Sequence, residues 1–106
     1  MPLVPFAVFA VAAALEVAGD ALIRAGLRGR GLAAVALGFA VLGSYGIVVN
    51  LLSIDFSRLL GAYVGIFAVV SVLVGWFFFG DQVPVSTWLG LLVVLAGSLI
   101  IHFGPR

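Results

Sequence analysis

Residues 3–25 read LVPFAVFAVAAALEVAGDALIRA, an apolar run in which only Glu16, Asp20 and Arg24 are charged. A helix must supply about 20 mostly apolar residues to cross the ~30 Å hydrocarbon core of a bilayer, because it rises ~1.5 Å per residue. The run has that length, and its composition would be out of place on a water-facing surface. It therefore predicts a transmembrane helix with an acidic side chain near its centre.

Further runs of the same kind follow, and together they predict four transmembrane helices over about residues 3–25, 32–53, 59–79 and 86–103. The strands of a membrane barrel have about 10 residues and alternate between apolar and polar. These runs are longer and continuously apolar, so they predict helices. The short turns between them make neighbouring helices antiparallel. We therefore expect an all-α membrane protein in which residues 1–106 form one domain.

The composition excludes several functional classes. The chain is 65% hydrophobic and 8% charged, whereas soluble domains are about half apolar and about a quarter charged. No polar stretch could form a soluble domain that hydrolyses nucleotides, and a net charge of +1 gives no reason to expect nucleic acid. The chain has no cysteine and shows no nucleophile–base pair and no metal-ligand cluster. We expect neither an enzyme nor a bound cofactor or metal.

The two ends of the chain and its arginines bear on topology. Met1-Pro2-Leu3 lacks the basic region of a signal peptide, so no cleavable leader is expected. An even number of spans puts both termini on one side of the membrane. Arginines hold helix ends in the headgroup region. They are nearly balanced between the two faces, with Arg24, Arg28 and Arg30 at one face and Arg58 and Arg106 at the other. This balance favours insertion in both orientations.

Trp76 and Trp88 lie on either side of the turn at residues 80–84. Tryptophan concentrates at the membrane–water interface, where its amphipathic ring is stable. Both residues are therefore predicted to anchor one membrane face. Their placement independently supports a hairpin formed by the third and fourth helices.

Glu16 is the most informative residue in the chain. It lies about 3 Å from the middle of the predicted first helix, given the helical rise. An ionisable group at that depth costs about 2.5–3.5 kcal/mol on insertion scales, and such residues usually mark an ion or substrate path. A carboxyl group away from water holds its proton more tightly than one in water, and it can release that proton when a cation arrives. The alternative is a protonated carboxyl that only bonds to a neighbouring helix.

Asp20 and Arg24 follow Glu16 at intervals of four residues, on one face of the helix. Two readings of this face remain open. Asp20 can take part in binding the substrate, or it can form an ion pair with Arg24, whose guanidinium group reaches the headgroups.

The second and third helices supply further candidates. Gly61 and Gly65 form a GxxxG motif that allows close helix contact. The Tyr63 hydroxyl needs a polar partner in lipid, and this partner can be Glu16 or a backbone carbonyl. Tyr45 and Asn50 can line a cavity or pack between helices.

The fourth helix carries Gly90 and Gly97 on one apolar face. Glycines on such a face favour helix packing, so this helix is a candidate subunit interface. His102 lies at the predicted edge of the membrane and is interpreted as an interfacial residue.

At several of these positions the chain resembles the small multidrug resistance family of the drug/metabolite transporter superfamily. Glu16-Val17-Ala18-Gly19, with the basic Arg24 after it, is similar to the family's Glu-Val-x-Gly segment and its following basic residue. Gly61-Ala62-Tyr63 is similar to the Gly-x-Ala-Tyr region. The stretch from Ala96 to Ile101, with Gly90 upstream, resembles the family's dimerisation helix.

The resemblance implies an antiparallel homodimer of dual topology in the inner membrane of bacteria. One Glu16 from each subunit would share a central site, where protons and a small cationic substrate compete. It thus implies proton-coupled export by alternating access. Taking it together with the residue patterns above, we predict that Glu16, Asp20, Tyr63 and Tyr45 bind substrate or protons, and that Gly61 and Gly65 let the third helix bend or slide.

The chain also departs from the family pattern. Ile66 occupies a position where multidrug members carry tryptophan, the proline before the Gly-x-Ala-Tyr region is absent, and Asp20 replaces a small hydroxyl residue. The lost aromatic wall disfavours flat aromatic cations, and these departures are typical of a divergent branch. Two alternatives stay open. The chain can be a non-transporting subunit or one half of a heterodimer with a paralogue, or it can move a lipid-linked molecule.

Overall fold

The structure, a computed structural model, describes residues 3–105. The expectations about a signal peptide and about the balance of arginines draw partly on Met1, Pro2 and Arg106, which lie outside the described residues. Within residues 3–105 there are helices and no strands, and the helices are α1 (Leu3–Ala25), α2 (Leu32–Asn50), α3 (Phe56–Phe78) and α4 (Val85–Phe103). All four are long and apolar enough to cross a membrane. The predicted all-α membrane architecture with four spanning helices is confirmed.

The turn between α1 and α2, Gly26–Arg30, is a kink in which Arg28 and Gly29 leave the helical conformation. It is closed by a hydrogen bond from the N–H of Gly31 to the carbonyl of Gly26, at 3.2 Å. Gly29 has φ +122° and Gly31 has φ +94°, conformations that only glycine adopts without strain. The glycines expected to end the first helix therefore also shape the turn, and Arg28 and Arg30 are exposed on it.

The link between α2 and α3 differs from the sequence prediction. The second helix was expected to reach residue 53, but it ends at Asn50. The amide nitrogen of Asn50 donates to the carbonyl of Gly46, at 2.8 Å, and the N–H groups of Leu51 and Leu52 bond three residues back. Bonds with this shorter span tighten the last turn and end the helix.

The third helix begins earlier than residue 59, the predicted start. It begins at Phe56, and the N–H of Leu59 donates to the carbonyl of Asp55 at 2.8 Å. The prediction was wrong because Ser57 and Arg58 were interpreted as a polar link. The first turn of a membrane helix tolerates polar residues at headgroup depth, and Arg58 has a structural role there. The ends of α3 and α4 near their shared turn differ from the prediction by one residue, within the usual uncertainty of helix ends.

Contacts divide the chain into two compact units, one ending at Leu52 and the other beginning at Ser53. The first unit is the hairpin of α1 and α2. Its helices approach closely at Gly19 and Gly38. A Cβ atom on Gly38 would lie 2.8 Å from the carbonyl oxygen of Gly19 and 2.6 Å from Cγ1 of Ile23. Only a residue without a side chain fits at this crossing.

The second unit is the hairpin of α3 and α4. A Cβ atom on Gly61 would lie 2.8 Å from Cδ1 of Ile101, and one on Gly65 would lie 2.5 Å from Oγ of Ser98. The Ser98 hydroxyl donates to the carbonyl of Ala62. The Gly61–Gly65 motif thus provides the surface on which α4 packs, and a buried hydroxyl bonds across it.

Arg58 connects the two ends of this second hairpin. Its guanidinium group donates to the carbonyls of His102, at 2.7 Å, and Gly104, at 2.9 Å. The last carbonyls of a helix have no partner within the helix and carry the negative end of its dipole. The positive charge at the start of α3 therefore caps the end of α4.

At the opposite end of this hairpin, the rings of Trp76 and Trp88 are in edge-to-face contact, with centroids 5.6 Å apart. Much of the apolar surface stays uncovered, above all on α2 and α4. A Cβ atom on Gly90 or Gly97 would meet no heavy atom within 4 Å. In a membrane, such surface contacts lipid or another subunit.

Candidate functional site

Glu16 lies on a tightly packed stretch of α1. Ala12 and Ala13, one turn before it, are fully buried, and Val17 is 8% exposed. Glu16 itself is half-buried. Residues spaced by three and four positions share one face of a helix, so the carboxyl group emerges at the edge of the buried face of α1. It is accessible to a ligand without lying wholly in lipid.

Tyr45 is the candidate residue that interacts electrostatically with Glu16 within the first hairpin. Its side chain is half-buried, and the hydroxyl lies close enough to the Glu16 carboxylate to interact with it electrostatically. A phenol hydroxyl can donate a hydrogen bond to a carboxylate or accept one from a ligand. Glu16 and Tyr45 therefore form the core of the candidate site.

The contacts between α1 and α2 explain why these two residues meet. Successive contacts join Gly26 with Val35, Gly38 with Ile23, and Gly19 with Leu42. The next step of the same spacing pairs Glu16 with Tyr45, which interact electrostatically. Along α1 the steps are three, four and three residues backward, and along α2 they are three, four and three forward. Two antiparallel helices that contact at steps of three and four residues pack along one continuous face, which we call the seam. The site is thus the continuation of a glycine-rich seam.

Asp20 and Arg24 continue along α1 toward the turn. Both side chains are exposed, in contrast to the half-buried Glu16. Their exposure makes Asp20 available to a ligand or another subunit at a shallower depth of the membrane. Its participation in binding stays a prediction, as does its pairing with Arg24.

Tyr63 lies in the second hairpin and is 4% exposed. Its ring packs against Phe67 on the same helix, with centroids 6.1 Å apart. It is two residues from both Gly61 and Gly65, so it lies on a different face of α3 from the glycine surface that packs on α4. The predicted contact between Tyr63 and Glu16 stays a prediction.

Two other polar residues have local structural contacts. The Asn50 amide bonds to the backbone of its own helix, and the His102 ring packs edge-to-face on Phe103, with centroids 4.7 Å apart. Within the part of the chain that the structure describes, no group of three His, Asp or Glu residues could hold a metal ion.

Sequence reasoning missed Gly38, Leu42 and Arg58. No signal in the sequence singles out Gly38 and Leu42, because α2 also carries Gly43 and Gly46, and only the packing shows which glycine meets α1. Nor was a signal available for the capping role of Arg58, because its carbonyl partners lie 44 and 46 positions away.

The chain is similar in sequence to a family of membrane proteins. The sequence profile described as "Uncharacterised BCR, YnfA/UPF0060 family" matches residues 3–106. A UPF0060 membrane protein of Mycobacterium marinum is 42% identical over 100 residues, covering 92% of this chain and 91% of the relative. The UPF0060 membrane protein YfjF of Bacillus subtilis is 33% identical over 112 residues, covering 100% and 99%. No solved structure matches the chain significantly.

These matches extend along nearly the whole chain and include all four helices. The relatives are named membrane proteins, in agreement with the four helices able to cross a bilayer. The chain therefore belongs to the YnfA/UPF0060 family of membrane proteins, within the drug/metabolite transporter superfamily.

Proposed function

We propose that this protein is a proton-coupled secondary transporter that exports small cations across the bacterial plasma membrane. The observation that carries the proposal is the half-buried Glu16 near the middle of α1, beside Tyr45. An acidic group at that depth is costly, and a site for protons or cations justifies the cost. The resemblance of the α1 segment to the small multidrug resistance family supports the same function.

In the proposed mechanism, Glu16 holds either a proton or the cation and never both. The Tyr45 hydroxyl orients the carboxylate, and exposed Asp20 adds negative charge on the path toward the membrane face. Two subunits in opposite orientations each contribute one Glu16, and Tyr63 completes the site. Alternating access exposes the site to one side of the membrane at a time.

The proton gradient would supply the energy. Moving one charge through 100 mV is worth about 2.3 kcal/mol, a contribution that applies only when the exchange moves net charge. For exchange of one proton against one monovalent cation, a difference of one pH unit would support about a tenfold cation gradient, since a factor of ten corresponds to about 1.4 kcal/mol. Proteoliposomes with an imposed pH gradient should therefore accumulate cations in response to the gradient.

Proton release on cation binding tests the proposal directly. We would titrate purified protein, weakly buffered near pH 7, with small cations ranging from guanidinium compounds to quaternary ammonium ions, while recording pH. Each binding cation should release protons, and Glu16→Gln should abolish the release. Asp20→Asn is the matched variant one turn away, and because its side chain is exposed we expect weaker cation binding with release retained.

The result that would overturn the proposal is equally clear. If a folded dimer releases no proton with any cation, or if Glu16→Gln releases protons as the unmodified protein does, Glu16 is not an exchange site. The first outcome would direct attention to a paralogous partner subunit or to a lipid-linked substrate.

A further inference from the structure

A second polar pocket lies at the end of the α3–α4 hairpin, far along the chain from Glu16. It has a volume of about 250 Å³ and is lined by Ser71, Val72, Asp81, Gln82, Val83 and Thr87. We call it the Asp81 pocket. Sites for drug-sized ligands measure about 300–1,000 Å³, so this pocket suits a small ion or a single headgroup.

The backbone holds Asp81 in place within the turn. Gly80 has φ +67°, and the N–H of Asp81 donates to the carbonyl of Gly75 at 2.9 Å. The Asp81 side chain lies over Gly75, where an added Cβ atom would be 2.6 Å from Oδ2. The backbone of Asp81 is therefore held in the turn, and its exposed carboxylate lies over Gly75 in a position that a side chain at residue 75 would displace.

The polar lining of the pocket is rich in hydrogen-bond acceptors. An ionised carboxylate accepts hydrogen bonds and donates none. The Ser71 hydroxyl already donates to the carbonyl of Phe67, at 2.6 Å, so the oxygen offers its lone pairs to a ligand. Thr87 adds a hydroxyl, and none of the described lining residues is basic. The Gln82 amide and the Thr87 hydroxyl can donate as well as accept, but the single charge among these lining residues is the negative one of Asp81, so the lining suits a cation that carries N–H donors.

The depth of the pocket in the membrane also limits the ligand. Trp76 and Trp88 are in contact at this end of the hairpin, and Trp88 directly follows the lining residue Thr87. A tryptophan pair of this kind lies at headgroup level. A ligand there meets the ammonium groups of lipids as well as ions from the aqueous phase.

We propose that the Asp81 pocket binds an ammonium or guanidinium group through its N–H donors, carried either by a free cation or by a lipid headgroup such as that of phosphatidylethanolamine. The site belongs to the second hairpin, whereas Glu16 belongs to the first, and the proposal does not depend on proton exchange. N–H donors paired with a carboxylate form charge-assisted hydrogen bonds, which are stronger than neutral ones.

The chain contains two tryptophans, and both lie at this end of the hairpin, so their indole N–H signals form a local reporter. We would titrate the ¹⁵N-labelled protein in phosphatidylcholine nanodiscs with ethylammonium and methylguanidinium, at constant ionic strength, and follow both indole signals by NMR. Tetramethylammonium, which has the charge but no N–H donor, is the matched ligand control. Nanodiscs containing phosphatidylethanolamine, without added cation, test the headgroup as the source.

We expect saturable shifts with the N–H cations, with the phosphatidylethanolamine nanodiscs, or with both, and each result identifies a source of the ligand. Asp81→Asn should weaken binding at least about tenfold, the loss expected for a hydrogen bond to a charged group. Gly75→Ala keeps the carboxylate but displaces it, so it should also weaken binding, and it tests the site if Asp81→Asn does not fold. Glu16→Gln should leave the shifts unchanged.

Equal shifts with tetramethylammonium, or full binding by folded Asp81→Asn or Gly75→Ala, would overturn the proposal. So would the absence of any shift with either cation or with phosphatidylethanolamine. Loss of the shifts in Glu16→Gln would place the ligand at the transport site. Proton release measured on the same variants separates failure of this proposal from failure of the transport proposal.

Discussion

Replacing Gly38 with alanine should separate the helices of the first hairpin. The new Cβ atom would lie 2.6 Å from Cγ1 of Ile23 and 2.8 Å from the carbonyl oxygen of Gly19. The Ile23 side chain can move, but the carbonyl belongs to the backbone of α1, so the two helices must shift apart. Overpacking of this kind costs about 1–3 kcal/mol, whereas alanine gains about 1 kcal/mol over glycine in helix propensity.

Gly43→Ala is the matched control for this substitution. Gly43 lies in the same helix, and a Cβ atom there would meet no heavy atom within 4 Å. Both variants gain the same helix propensity, which cancels when they are compared. Gly38→Ala should therefore have a free energy of unfolding about 1–3 kcal/mol lower than Gly43→Ala, and this difference measures the steric cost alone.

The measurement needs a probe in the first hairpin, because both tryptophans lie in the second. The chain has no cysteine, so Ala7→Cys and Ile47→Cys can be introduced for a donor and an acceptor dye. Both positions are exposed, and both lie away from the turn at Gly26–Arg30. Energy transfer would be followed as sodium dodecyl sulfate is added to protein in dodecyl maltoside micelles. If Gly38→Ala proves as stable as Gly43→Ala, the close approach of Gly19 and Gly38 is refuted.

Three further predictions concern the second hairpin. Arg58→Gln should lower the unfolding free energy by about 1.5–3 kcal/mol, because charge-assisted hydrogen bonds to the end of α4 are lost. Unchanged hydrogen exchange in the last turn of α4 would contradict this prediction. Ser98→Ala should lower the free energy of unfolding, measured in a thermal melt, by about 0.6–1.7 kcal/mol. Ser44→Ala loses only a hydrogen bond within its own helix and should lower it less; equal losses would contradict a role for the bond between α3 and α4. Gly97→Leu should leave the melting temperature unchanged, because a side chain at this position meets open space within the chain. It should nevertheless lower the fraction of dimer trapped by cross-linking, and an undiminished dimer fraction would place the subunit interface elsewhere.

The sequence predicted the spanning helices because lipid imposes a simple length and composition rule. The end of α1 at Ala25 matches the prediction, since the glycine-rich turn ends the helix by local backbone geometry. The predicted start of α3 was wrong because a charged residue such as Arg58 suggests a link outside the membrane. In the structure its charge is balanced by carbonyl groups at the end of another helix. Such long-range bonds leave no local pattern in the sequence.

The candidate site was predicted only in part. The cost of an acid in lipid identifies Glu16 from sequence alone. Gly38, Gly43 and Gly46, by contrast, all lie in one apolar helix, and only packing shows that Gly38 meets α1 while the other two meet open space. The pairing of Glu16 with Tyr45 follows from that packing, because the register of the seam is fixed at the glycine crossing.

The division of the chain at Leu52 and Ser53 bears on how the protein is made. Each hairpin joins two helices that are consecutive in the chain, so its contacts close only short loops. The crossing of Gly19 with Gly38 can form while α3 and α4 are still being synthesised. We therefore expect the ribosome and the insertion machinery to deliver the protein to the bilayer as two successive helix pairs.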